Sequence, residues 1–365
     1  MQRKRANLGA AVTLLCGMSS SIVGAAEGPP DLQRLTAEGR CPKCNLAGAD
    51  LSGMRLMSAD LSGADLRGAK LRKTILFRAN LSGADLRQAD LEKASLGRIN
   101  LSGANLNGLD LHGARLAHAE LRGALLAGAD LSDSMLEHTD LRSADLRGAK
   151  LVRSTLRSAK FDAAQFDGAD MRETDLRGVD LRQIAGARGA NFTQARLDGA
   201  QLDQLDLSGN RFDRAEMTGC NLTKADLRNA TFVGTILRKA DLTDARLDGA
   251  DLMGANLKGA RISRARLTNA NMEQISMGGN LIGIDFSNAL LTRADLSGAN
   301  LKDALFRRAD LRQANLSSCN LYAADFTGAD LTGANLRSAN LNNAVFADAV
   351  LNGTRFEDAR GAPGQ

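Results

Sequence analysis

The run CPKC, Cys41 to Cys44, places two thiols three residues apart. Such a pair can close a local disulfide, cycle as a redox couple, or give two of the four ligands of a zinc site. The disulfide is the simplest of the three for an exported chain. The redox reading lacks a surrounding βαβ pattern, and the zinc reading lacks a second Cys or His pair at ligand spacing. His118 and His138 stand twenty residues apart, with Glu120 and Asp140 two residues beyond them. They form either a weak divalent-metal patch or two solvated imidazoles in a polar column. Met57 and Phe77 share the same spacing of twenty, with Ile75, Arg78 and Arg98 close by. These five would make an apolar patch edged by cations, or scattered surface residues under an N-terminal cap.

Nothing else in the chain is arranged for catalysis. There is no Gly-rich phosphate loop, no nucleophile elbow and no His-rich metal motif. Paired carboxylates occur throughout and single out no site. The expectation is a chain that is not an enzyme, with no cofactor, no metal and no small-molecule substrate.

Positioning these residues falls to a repeat. From Leu46 to Leu181 an apolar residue recurs at every fifth position, giving 28 units. The frame slips around Gln183 to Gly189 and resumes from Phe192 to Met277 for 18 units. It slips again between Gly278 and Leu281 and ends with 16 units from Leu281 to Phe356. The residue two before each centre is usually Ala, and the one just before it Asp or Asn. A helix smears a five-residue period around its axis, and a strand flips its face at each odd step. The chain must therefore bend once per unit. Gly at the last position tolerates the dihedrals of a corner, and Asp or Asn can bond nearby backbone groups.

A second period fixes the number of corners. Phe286, Phe306, Phe326 and Phe346 are spaced by twenty, as are Phe192, Phe212 and Phe232. In the first block the residues preceding Leu56, Leu76, Leu96, Leu116, Leu136 and Leu156 are never Asp or Asn, which marks one wall in four. Four units thus close one coil. The 62 units predict an all-β fold: a right-handed quadrilateral parallel β-helix of about 15 coils, roughly 75 Å long at ~4.8 Å per coil. Centre residues and the small residues before them point inward. Cys220 and Cys319, in the inward small-residue slot five coils or ~24 Å apart, are then isolated buried thiols. The break near Arg182 either bulges as a loop or is a tolerated insertion.

The ends are exposed sheet edges and call for caps. Pro29 to Arg40 predicts a short cap helix, with Asp31 as N-cap, Leu32 and Leu35 on the apolar side and Gly39 as stop. The tail, 359–365, offers no counterpart, so that end is expected to meet a partner or a second copy. Residues 1–26 carry a basic start, an apolar run and small residues after it, the three parts of a secretory signal peptide, with an uncleaved anchor as the alternative. The cap segment spans 27–43 and the repeat 44–358. Removing Arg3, Lys4 and Arg5 lowers the formal net charge from +5 to +2, which disfavours a nucleic-acid partner.

The run ADLSGADLRGAKL, Ala59 to Leu71, resembles the pentapeptide-repeat family, whose motif is written A(D/N)LXX. The resemblance covers Leu46 to Phe356 and implies the quadrilateral right-handed β-helix. It is far less specific for function. Family members that mimic DNA and bind type II topoisomerases work in the cytoplasm through an acidic surface. The first expectation for this chain is an exported, periplasmic or secreted scaffold that binds an unknown protein partner. The alternative is a cytoplasmic, DNA-mimicking binder of a type II topoisomerase. Self-association through the C-terminal end is a third expectation.

Overall fold

The computed structural model describes residues 30–363. The signal-peptide reading of 1–26 lies outside them. Each unit folds in the same way. In the first, the Ala49 N–H donates to the Leu46 carbonyl at 3.0 Å and Gly48 has φ +67°, while Ala47 keeps a negative φ. A single positive φ at the third residue is the mark of a type II turn. Gly fills this position in many units, but Lys73, Gln88 and Asp133 also accept it, at φ 57°, 61° and 59°. Asp or Asn before the centre closes the corner: Asp50 Oδ1 accepts the Ser52 N–H at 3.0 Å, and Asn80 Oδ1 that of Ser82 at 3.2 Å.

Four turns bring the chain back over itself. The Leu46 N–H donates to the Asp65 carbonyl at 2.8 Å, and the Asp65 N–H donates to the Cys44 carbonyl at 2.8 Å. Parallel bridges such as Asp50↔Lys70, Asp65↔Asp85 and Asn300↔Asn320 keep a register of twenty. Extended pieces joined by corners were expected, but one residue per unit bridges, because the turn takes up the rest of the unit. The result is a β-helix of stacked single-residue bridges rather than continuous strands.

Centre residues and the Ala slots fill the interior. Leu51, Leu61, Ala64 and Ala69 are at most 1% exposed. Burying each such leucine contributes roughly 1.5–3 kcal/mol, so stability accrues coil by coil. The phenylalanines pile into two columns. Successive rings from Phe192 to Phe232 lie 5.1 and 5.0 Å apart, and those from Phe286 to Phe346 lie 5.2, 4.9 and 5.0 Å apart.

Both frame slips are one-residue events. Bridges Gln165↔Gly186 and Asp180↔Gln201 span 21 residues, and the register returns to twenty at Asn191↔Arg211. The break forms no long loop: Ala187 takes the inward centre position, and one extra residue is absorbed before Gly186. At the second slip Ser276↔Asp295 spans 19 residues.

The N-terminal helix α1 runs Pro30–Glu38. It begins two residues earlier than the sequence predicts, since Pro30 suits the first helical position. Asp31 therefore lies in the first turn instead of at the N-cap. Its carboxylate accepts the Asn45 N–H at 2.7 Å, which ties the helix to the first unit. Gly39, φ +65°, ends the helix with its N–H on the Leu35 carbonyl at 2.9 Å.

Candidate functional site: surfaces of the rod

Most described arginines of the rod form ion pairs, and many of these lie within the arginine's own unit. In Asp-Leu-Arg triplets the guanidinium folds back on the carboxylate, as in Arg67 to Asp65 at 2.9 and 2.6 Å. The same fork joins Arg147 to Asp145, Arg228 to Asp226 and Arg312 to Asp310. The spacing of two was visible in the sequence, but its pairing needs the corner that turns both side chains outward. Hydrogen bonds from these arginines hold Asp65, Asp145, Asp226 and Asp310 below the ordinary carboxylate pKa.

A depressed folded-state pKa stabilises the fold above the unfolded pKa, and this is lost as pH falls through the folded one. The melting temperature is therefore expected to be level between about pH 5 and 7 and to fall below about pH 4. A melting temperature unchanged at pH 3 would contradict this pairing.

The surface around Met57 breaks the pattern. Met57 is 54% exposed. Phe77, one coil on, lies over Gly97, where a Cβ would stand 3.2 Å from its ring. The Arg78 guanidinium sits 5.7 Å from the centre of that ring. Ile75 bridges Arg55 on one side and Ser95 on the other. Arg78 and Arg98 are exposed turn residues with φ 60° and 57°. Among the described residues Arg55, Arg78 and Arg98 enter no ion pair. Register thus brings all five predicted patch residues onto neighbouring coils and adds Arg55. The signal for Arg55 was its place before Leu56, where other units carry Asp or Asn.

Cys41 and Cys44 adjoin α1, with Cα atoms 5.5 Å apart and their sulfurs in bonding contact. Cys41 Sγ lies 3.2 Å from the Asp31 carbonyl oxygen. Asp31, Cys41 and Cys44 are the one cluster of three metal-ligating groups among the described residues. A bond between the sulfurs consumes two of its ligand atoms. His118 and His138 stack with ring centres 4.8 Å apart, and no such cluster includes them. Cys220 and Cys319 are free and buried, and burial pushes both thiols up to about 12.

At the other end the core lies open. Phe346, Leu351 and Phe356 are only partly buried, and Val345 and Val350 are 46% and 42% exposed. The N–H groups of Phe346, Leu351 and Phe356 reach no described backbone carbonyl.

The family model described as pentapeptide repeats matches residues 43–76, 79–183, 188–274 and 278–360, in overlapping segments. Its gaps at 184–187 and 275–277 fall where the register shifts. No curated protein matches the chain. Among solved structures the chain is similar to HetL, a pentapeptide repeat protein involved in heterocyst differentiation regulation from Nostoc sp. strain PCC 7120. Identity is 26%, over 74% of this chain and 92% of that one, with a TM-score of 0.25. It is similar also to Rfr23 from the cyanobacterium Cyanothece 51142, at 26% identity over 45% and 97% of the two chains and a TM-score of 0.23. QnrB1, a plasmid-mediated fluoroquinolone resistance protein, is 19% identical over 65% and 90%, with a TM-score of 0.20. The unit of turn, inward Leu and inward Ala, repeated with a coil of twenty and matched nearly end to end, leaves one assignment: the chain belongs to the pentapeptide-repeat family.

Proposed function

We propose that the chain is an exported, non-catalytic scaffold that engages a protein partner through the surface built by Met57, Ile75, Phe77, Arg78 and Arg98. The carrying observation is an exposed Met57 beside a half-buried Phe77, edged by arginines that lack ion pairs, on a rod whose other arginines are mostly neutralised. Such a surface suits a partner offering apolar groups ringed by carboxylates. We take the rod to be right-handed, with about 15 coils. Helix α1 closes its first coil, and an oxidised Cys41–Cys44 pair fastens the helix after export. The open C-terminal coil supports self-association as a second use of the same rod.

Proximity labelling in the native compartment tests the partner surface. The intact protein is expected to label a defined protein that the Met57→Ser, Phe77→Ser double variant no longer labels. Equal labelling by both would overturn this reading. Export predicts a native N-terminus near Glu27, whereas an intact Met1 would favour the cytoplasmic topoisomerase binder.

A further inference from the structure

The ladder between coils is open over the longest stretch at residues 91–96 and 110–115, where the sequence repeat runs unbroken. One coil earlier it is complete: the N–H groups of Leu71, Lys73 and Leu76 reach the carbonyls of Asp90, Glu92 and Ser95 at 2.7, 2.9 and 3.0 Å. The equivalent N–H groups of Leu91, Lys93 and Leu96 reach no described carbonyl, and neither do those of Asp110 and Arg115 on the facing coil. The carbonyls these groups would meet, on Asp110, His112, Arg115, Ala89 and Ala94, accept no backbone bond. The register calls for Asp90↔Asp110 and Ser95↔Arg115 bridges. Neither is formed, although Asp85↔Asn105 and Asn100↔Glu120 are formed on either side. Two adjacent walls part here, around a cavity of about 800 Å³.

What differs is the inward slot that normally takes Ala. Leu109 occupies it, buried at 2% and stacked over Ala89. Its three extra carbons overpack a slot built for Ala, and the open wall coincides with them. The same coincidence recurs at Val179 and Leu205, where the N–H groups of Asp180 and Asp206 also make no ladder bond. Ile99 and Ile275 are accommodated with the ladder closed, as the Asn100 and Ser276 N–H bonds show.

We infer that this cleft binds an extended peptide segment of a partner protein. Each lip offers donors and acceptors at strand spacing, and backbone groups left without partners favour a ligand that supplies both. Only an extended polypeptide presents N–H and C=O groups on both of its edges, so it can bond both lips as an added parallel strand. The cavity volume falls in the range of ordinary ligand sites. Ala94 and Ala114, half-buried in the cleft walls, select small or aliphatic side chains on the inward side. Asp90, Glu92, Lys93 and Arg115 line the mouth with mixed charge, so the main chain carries recognition.

The test uses amide hydrogen exchange on the full chain. The probe is an acetylated, amidated peptide ADLSGADLRG, the sequence of Ala59 to Gly68, which carries Ala and Leu at the repeat spacing. Without peptide, the Leu91, Lys93, Leu96, Asp110 and Arg115 amides are expected to exchange at least ~100-fold faster than those of Leu71, Lys73 and Leu76. Millimolar peptide should slow them at least ~10-fold, and the same peptide N-methylated at its two leucines should not. Leu109→Ala restores the ordinary occupant of the slot. It should close the ladder, protect these amides without peptide and abolish the peptide effect. Met57→Ser alone should leave the peptide effect unchanged, since the patch adjoins the cleft through the Ile75↔Ser95 bridge but Met57 lines neither lip. Full protection of the five amides in the peptide-free protein would overturn the proposal. So would absence of peptide protection, or equal protection by the N-methylated peptide.

Discussion

Phe306→Ala is expected to destabilise the C-terminal block by about 3–5 kcal/mol. The ring is fully buried and held between those of Phe286 and Phe326, 5.2 and 4.9 Å away, at interplanar angles of 22° and 3°. The void cannot collapse. Ladder bonds hold the backbone on both sides, from the Phe286 N–H to the Leu305 carbonyl at 2.8 Å and from the Phe306 N–H to the Asp325 carbonyl at 2.7 Å. Removing the ring thus forfeits its burial and two stacked contacts together. Phe306→Leu places the repeat's commonest residue at the same site and should cost less than about 1.5 kcal/mol. Urea denaturation of the two variants checks the pair. A loss below about 1 kcal/mol for Phe306→Ala would mean that the column carries little of the stability.

The larger effect is expected for Leu237→Glu. Leu237 is fully buried, and register places it between Met217 and Leu257, both also buried. A carboxylate there has no cation to meet, and its effective desolvation penalty is several kcal/mol. The loss should exceed about 4 kcal/mol if the side chain stays inside charged. A solenoid couples only neighbouring coils, so the damage should divide the rod into two separately melting parts rather than unfold it at once. Hydrogen exchange on the variant is expected to show fast amides near residue 237 and slow ones far to either side. Leu237→Met, with a similar volume, should melt as one unit. Uniform acceleration along the whole variant rod would contradict nearest-neighbour stability.

Much of the fold was legible because it follows from counting. The spacing of Phe286, Phe306, Phe326 and Phe346 gave the coil length, and Gly at the fifth position marked a corner with positive φ, which Lys73 and Gln88 also adopt. The patch was legible for the same reason, since Met57 and Phe77 share a wall once the coil length is known. Less could be read where a residue's effect depends on three-dimensional room. Ala187 acts as a unit centre, but its small side chain hid it within the frame slip. Leu109 and Ile99 occupy the same kind of slot and read alike, yet only Leu109 coincides with an open wall. Whether a branched side chain fits depends on the volume left by the coils above and below it, which no local pattern records. Asp31 was misplaced by two positions, because a helix start is a matter of dihedrals rather than of residue type alone.

The coil of twenty residues is tested most directly by distances between paired spin labels at outward turn positions, measured by pulsed electron resonance. Labels at Ser62 and Arg142 stand four coils apart, and labels at Ser62 and Asp162 stand five coils apart on the same wall. The account predicts separations of ~19 and ~24 Å, increasing by ~4.8 Å for each further twenty residues. Distances that fail to grow by this step, or an equal growth for pairs spaced by fifteen or twenty-five, would contradict it.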